Sequence, residues 1–147
     1  MIDKSHIGAL VSRHSQVVEA GRLRFFAKAI GQQDPCYSDP AAARAAGFAD
    51  LPVPPTFLTC LDAEAGTTMA MLALLNIDYS KILHAEQGYE YHRMAFAGER
   101  LHFETRIADI YEKKGGALEF IVRQTRVTNE ANELVAQLRS STVVRNT

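Results

Sequence analysis

The chain of 147 residues has little of what several classes of protein require. It contains no tryptophan, only two cysteines and a formal net charge of −1. Cys36 and Cys60 lack Cys-x-x-Cys spacing, so we expect reduced thiols of a cytoplasmic protein and neither a disulfide nor a metal site. A near-neutral chain without a basic run also argues against binding to nucleic acid.

Long hydrophobic runs are missing as well. The most apolar stretch, residues 68–77, is far too short to span a bilayer, and the N-terminus lacks the pattern of a signal peptide. The composition, 47% hydrophobic and 22% charged, is ordinary for a globular protein with one substantial core. We therefore predict a single domain over residues 1–147, with no membrane segment and no cofactor.

Signals for short helices occupy the first third of the chain. Residues 15–20 contain two valines and are predicted to form a short strand. Apolar residues at positions 23, 26, 27 and 30 follow the spacing of an amphipathic helix, which should end at Gly31. A second short helix is predicted from Asp39 as its N-cap to Gly47 just beyond its end.

A longer apolar stripe begins after the proline-rich loop at residues 51–55. From residue 56 to about residue 75, apolar side chains recur at helical spacing, which predicts one long, buried central helix. The members of this stripe are Phe57, Leu58, Leu61, Ala65, Met69, Leu72 and Leu75.

Beyond residue 80 the pattern changes to that of strands. Four extended segments, 82–94, 100–111, 117–127 and 133–144, are separated by turn-forming sequences. Helices gathered first and antiparallel strands gathered last indicate an α+β fold in which a sheet packs on one long helix.

Three stretches, in the expected order, resemble a known family. Residues 31–37 read Gly-Gln-Gln-Asp-Pro-Cys-Tyr, residues 51–57 read Leu-Pro-Val-Pro-Pro-Thr-Phe, and residues 83–93 read Leu-His-Ala-Glu-Gln-Gly-Tyr-Glu-Tyr-His-Arg. With the turn at 98–101, they resemble the MaoC-like (R)-specific enoyl-CoA hydratases. The resemblance covers residues 15–145 and implies a hot-dog fold, an antiparallel sheet wrapped around a central helix.

The same resemblance raises doubt about catalysis. The family signature reads roughly Gly-Asp-x-Asn-Pro-apolar-His, and its Asp and His perform the acid-base chemistry. Gln32 and Tyr37 occupy those two positions here. An amide has no usable proton, and a phenol with a pKa of about 10 is a poor base at neutral pH. The resemblance thus implies the non-catalytic half of such an enzyme. Gln32 and Tyr37 are candidates for substrate contact, as hydrogen-bond donors that line a cleft without acid-base chemistry; alternatively, both could simply fill the mouth of the former site.

Further candidates for substrate contact are Pro55, Thr56 and Phe57, because free N–H groups at a helix start could receive a thioester carbonyl oxygen. We add His84, which shares strand parity with Glu86 and His92, although such a set is more often structural. No catalytic residue is assigned. The roles of the remaining acids, Asp34, Asp62, Glu64 and Glu86, stay open; Asp34 could make a local turn bond.

The expected substrates are enoyl or 3-hydroxyacyl thioesters of coenzyme A or of a carrier protein, as in fatty acid metabolism. The chain would be the non-catalytic or diverged half of an enoyl-CoA hydratase, either as a homodimer or as a heterodimer with an Asp/His-bearing hot-dog subunit. Two alternatives remain, namely a thioesterase that uses Asp62 or Glu64 and a non-enzymatic acyl-CoA binding module.

Overall fold

A five-stranded antiparallel sheet forms the larger part of the fold. The structure is a computed structural model that describes residues 1–146. The strands are β1 (Leu10–Val17), β2 (Ile82–Tyr91), β3 (Arg100–Lys113), β4 (Leu118–Thr128) and β5 (Leu134–Arg145). Their order across the sheet is β1-β3-β4-β5-β2, so β1 and β2 are the two edges.

Four α-helices complete the fold. They are α1 (Ala20–Ala29), α2 (Pro40–Ala45), α3 (Leu58–Glu64) and α4 (Thr67–Leu75). The carboxylate of Asp39 accepts a hydrogen bond from the Ala41 N–H, which confirms the predicted N-cap of α2. The predicted α+β layout is confirmed, and the four predicted strand segments agree with β2–β5 to within three residues at every end.

The core lies between the helices and one face of the sheet, in two clusters. The larger cluster joins α1 and α3 to β3–β5 and includes Leu23, Leu58, Leu61, Phe103 and Leu138. The smaller cluster lies beneath α4 and includes Met71, Leu72, Ile107 and Ile121. All of these side chains are at most 3% exposed, so burial of the helices against the sheet supplies the main stabilisation.

The prediction of one unbroken central helix is wrong. The segment forms two helices, α3 and α4, which meet at a bend of 54°. Gly66 lies between them with a left-handed φ of +79°. In the second half of the predicted stripe Leu72 is buried as expected, whereas Met69 is 57% exposed and Met71, outside the stripe, is fully buried.

The first strand also differs from its prediction. It spans Leu10–Val17 rather than residues 15–20, and Ala20 already begins α1. Two of its inward-facing positions carry polar side chains, Ser12 and His14. The strand therefore lacks the alternation of apolar and polar residues by which a half-buried strand is recognised.

No single helix in residues 1–146 has the length and apolar composition of a membrane span. Only α3 and α4 taken together, across their bend, would pass that test by length and composition. Leu58, Leu61, Met71 and Leu72 of this pair are buried inside the fold, as is usual for core helices.

Candidate functional site

The loop between α1 and α2 is held in place by its own side chains. A single 3₁₀ turn, Pro35–Tyr37, follows Asp34. One carboxylate oxygen of Asp34 accepts a hydrogen bond of 3.0 Å from the Cys36 N–H, and this bond lowers the pKa of the Asp34 carboxyl. The predicted local turn bond of Asp34 is thereby confirmed.

Gln32 lies on the exposed side of this loop. Its side-chain oxygen accepts a hydrogen bond of 3.0 Å from the backbone N–H of Asp34. The amide therefore closes the turn on itself, and Gln32 is not among the residues that line the neighbouring cavity.

Tyr37, at the other end of the turn, borders a cavity of about 390 Å³ between the loop and the end of β2. Burial raises the pKa of the Tyr37 phenol, and the nearby Cys36 and Asp34 add smaller effects in the same direction. At neutral pH the phenol is therefore protonated and can donate a hydrogen bond. The full lining consists of Tyr37, Val53, Pro55, Tyr91, His92, Arg93, Met94 and Ala95.

Two tyrosines of β2 fix the proline-rich loop that forms another wall. The Tyr91 hydroxyl donates to the Pro55 carbonyl oxygen at 2.9 Å, and the Tyr89 hydroxyl donates to the Thr56 carbonyl oxygen at 3.3 Å. Burial raises the pKa of both phenols, so both hydroxyls keep their protons. Neither tyrosine was predicted as a site residue, although the motif at residues 83–93 contains both.

Pro55 and Tyr37 thus meet at one cavity, whereas Phe57 lies elsewhere. The ring of Phe57 is 2% exposed and packs edge-to-face on Phe26 at 5.3 Å between centroids, with the Arg22 guanidinium 5.6 Å from its centre. Phe57 is the N-cap of α3, so the helix begins two residues later than predicted. Thr56 is exposed beside the cavity, and its backbone carbonyl is bound to Tyr89.

A β-bulge separates His84 from Glu86. His84 pairs with Thr142 and Glu86 pairs with Ser141, which are consecutive residues of β5 and so face opposite sides of the sheet. The prediction that His84 and Glu86 share a face is therefore wrong. His84 faces the helices and borders a second cavity, which shares no lining residue with the cavity beside Tyr37.

His92, the third member of the predicted set, lies just beyond the end of β2. It lines the cavity next to Tyr37, and its Nε2 is 3.5 Å from a carboxylate oxygen of Glu90. Since the Glu90 side chain is 71% exposed, this pair is at the solvent side of the cavity.

The two acids of the helical segment are engaged in other interactions. Asp62 lies 3.2 Å from Nε2 of His14 and accepts a hydrogen bond of 2.9 Å from the Thr67 hydroxyl, in a mostly buried polar cluster. Glu64 forms an ion pair with Arg22 at the surface. Sequence spacing could not have paired His14 with Asp62, because they are 48 positions apart on different elements.

Within residues 1–146, no group of three or more His, Cys, Asp or Glu side chains is arranged to hold a metal ion. The cavity beside Tyr37 offers hydrogen-bond donors and apolar walls, and the arginine in its lining, Arg93, is paired with Glu133.

Solved structures identify the fold class as the predicted hot dog. The chain superposes on a MaoC-like dehydratase with a TM-score of 0.84 and 25% identity, covering 96% of this chain and 42% of that one. It also superposes on the HadBC (3R-hydroxyacyl-ACP dehydratase) complex from Mycobacterium tuberculosis with a TM-score of 0.82 and 23% identity, covering 94% of this chain and 96% of that one.

Sequence comparison then gives the family. Residues 5–138 match the family described as FAS1-like, dehydratase domain region. A UPF0336 protein of Saccharopolyspora erythraea is 34% identical over 99% of this chain and 93% of its own length, and one of Streptomyces avermitilis is 35% identical over 86% and 85%. The chain belongs to this family of FAS1-like dehydratase-region proteins.

Proposed function

We propose that this chain is the non-catalytic hot-dog subunit of a dehydratase that acts on enoyl and 3-hydroxyacyl thioesters. In this role it binds part of the substrate, and a partner subunit supplies the acid and the base. The observation that carries the proposal is the identity and state of Tyr37, which presents a protonated phenol to the cavity where the MaoC-like signature has its histidine.

The rest of the loop supports the same assignment. Reversible hydration needs a base that activates water and an acid that protonates the α-carbon. The Gln32 side chain is an amide that is already bound to the Asp34 backbone, so neither loop position provides a proton acceptor. Tyr37 is suited to donating a hydrogen bond to a substrate oxygen.

The cavity has the character of a site for part of an acyl thioester. Its apolar wall is made of Val53, Met94 and Ala95, which would cover an acyl chain. The Pro55 side of the cavity is fixed by its bond to Tyr91, so the wall is formed before any ligand arrives.

The partner would join at the β2 edge. This edge strand ends at the cavity, and the adjoining Leu83 and Met94 are 51% and 48% exposed. An unpaired edge with exposed apolar side chains favours pairing with another sheet. Two solved neighbours from Mycobacterium tuberculosis, HadBC and ChsH1-ChsH2, are complexes.

Hydration of crotonyl-CoA, followed by the loss of enoyl absorbance, tests this function. The purified chain, a hot-dog subunit with Asp and His in the same loop, and their mixture should be assayed in parallel. We expect turnover by the mixture well above that of either subunit alone. Turnover by this chain alone that disappears in His92→Ala would instead assign catalysis to the His92–Glu90 pair, and an inactive mixture would also contradict the proposal.

A conservative variant in the active mixture tests the binding role of Tyr37. Tyr37→Phe removes only the hydroxyl, so we expect KM to rise by about 2- to 10-fold with little change in kcat, the effect of one hydrogen bond. Tyr111→Phe is the matched control, because Tyr111 stacks on Phe120 away from this cavity. A fall in kcat without a change in KM would mean that Tyr37 takes part in the chemistry.

A further inference from the structure

Arg123 is a buried cation on the helix-facing side of the sheet. Its side chain belongs to β4 and the residue is only 7% exposed. Arginines that do form ion pairs in residues 1–146, such as Arg13 and Arg93, meet carboxylates at the surface. Arg123 has no carboxylate within ion-pair distance among these residues. Burial lowers the pKa of its guanidinium, and the carboxylate of Asp62 opposes this with a smaller effect.

The hydrogen bonds of Arg123 leave donors free. One terminal nitrogen donates to the Ser140 hydroxyl at 3.0 Å and the other donates to the Thr68 hydroxyl at 3.4 Å, while Nε has no partner among the described residues. A guanidinium has five N–H groups, so two neutral hydroxyls leave most of its capacity unused. Burying a cation in this state is unfavourable unless an anion compensates it.

A cavity gives such an anion access to Arg123. It has a volume of about 300 Å³ and lies between α4 and the edge strand β2. Tyr79, which is 66% exposed, and the exposed His84 lie at its open side, and the buried Thr142 contributes a further hydroxyl. This cavity shares no lining residue with the one beside Tyr37.

We propose that this cavity is a binding site for the oxyanion group of a small ligand, a carboxylate or a phosphate, with Arg123 as the principal cation. The planar guanidinium matches the two oxygens of either group, and the hydroxyl of Thr142 and the ring of His84 are placed to add hydrogen bonds. Ile82 and Leu83 in the wall suit a short apolar tail on the ligand. The site shares no lining residue with the cavity beside Tyr37, but Leu83 also belongs to the β2 edge at which the partner would join, so the test uses the isolated chain.

Anion-dependent stability of the purified chain tests this site. Melting temperatures should be measured while sodium chloride is replaced, at constant ionic strength and pH, by sodium butyrate in one series and by inorganic phosphate in another. We expect a saturable rise in melting temperature with at least one of the two, because a ligand that binds only the folded state stabilises it. The anion that raises the melting temperature at the lower concentration is the oxyanion group that the cavity prefers.

Matched variants locate the effect. Arg123→Gln should weaken the apparent anion affinity by at least about tenfold, whereas Arg139→Gln, which removes the same charge from the exposed side of β5, should leave it unchanged. Should Arg123→Gln not fold, Thr142→Val and His84→Ala provide the same comparison and are each expected to weaken binding. Absence of any response relative to chloride, or an equal response in the cavity variants and in Arg139→Gln, would overturn the proposal.

Discussion

At the scale of single residues, Tyr37, Cys36 and Gln32 of the loop beside the Tyr37 cavity stay neutral, whereas the charged carboxylate of Asp34 accepts a hydrogen bond from the Cys36 N–H. Burial raises the pKa values of the phenols of Tyr37 and Tyr91 and that of the Cys36 thiol, the last to about 11. Gln32 carries no charge at any pH of interest. The surroundings therefore favour hydrogen-bond donation over proton abstraction, which agrees with a binding role for this loop.

The Cys36 thiol gives a direct test of this environment. With a pKa of about 11, roughly one Cys36 side chain in a thousand is a thiolate at pH 8, and the residue is only 6% exposed. We expect N-ethylmaleimide to label Cys36 far more slowly in the folded chain than in denaturant, as followed by peptide mass spectrometry. Equal rates in the two states would contradict the burial of this side chain.

The same shift predicts a pH dependence of stability. Because the folded pKa lies above the unfolded value of about 8.5, the unfolded chain loses this proton first. The contribution of Cys36 is then complete below about pH 8.5 and declines as the pH rises toward 11. Denaturant titrations across this range should show a smaller decline in Cys36→Ala than in the natural chain; identical profiles would mean that Cys36 is not shifted.

At the scale of elements, the break between α3 and α4 decides which side chains reach the core. Gly66 occupies the left-handed region at φ +79°, where residues with a Cβ are strained. The bend places Thr67 against Asp62 and turns Met71 inward. Of the residues predicted to face the core, Leu72 is buried and Met69 is exposed, so the face that α4 buries is displaced toward Met71.

Replacing glycine by alanine at Gly66 and at Gly21 tests the left-handed backbone conformation of Gly66, because the added Cβ meets no other atom at either position. A Cβ at Gly66 would meet nothing within 4 Å, so Gly66→Ala should lower the free energy of unfolding by about 1–2 kcal/mol through backbone strain alone. Gly21 lies inside α1 without positive φ and with equal space, so Gly21→Ala should raise it by about 0.4–1 kcal/mol. Urea denaturation measures both; equal signs would contradict the assigned backbone at Gly66.

At the scale of the whole molecule, the sheet has two unpaired edges with different surroundings. The β2 edge runs between the two cavities, from His84 at one to the residues after Tyr91 at the other. The β1 edge lies beside β3 and bears the mostly polar face of Arg13 and Ser15. We therefore expect a partner subunit to cover β2, which carries the exposed Leu83 and ends at the cavity beside Tyr37.

Matched charges on the two edges distinguish them. Leu83 on β2 and Leu10 on β1 are 51% and 40% exposed, so glutamate at either position should cost little stability in the isolated chain. We expect Leu83→Glu to weaken assembly with the Asp/His-bearing subunit by at least about tenfold and Leu10→Glu to leave it unchanged. Sedimentation or light scattering of the mixtures measures this, and the reverse order would place the partner on β1.

Local signals were enough to predict most of the elements. The capping of α2 by Asp39 and the end of α1 at Gly31, which has φ +73°, depend on residues close in sequence. Strands β2–β5 were likewise predicted because alternation and turn residues are local properties. Local sequence was therefore enough to predict the α+β class, the hot-dog resemblance and the loop that contains Gln32 and Tyr37.

Only the tertiary structure decided which distant residues meet. The bulge after His84 moves Glu86 to the opposite face, and it is defined by pairing with β5 rather than by the sequence of β2 alone. The contact of His14 with Asp62 and the burial of Arg123 beneath α4 likewise join residues dozens of positions apart. Such contacts depend on strand order and helix packing, which no local periodicity specifies.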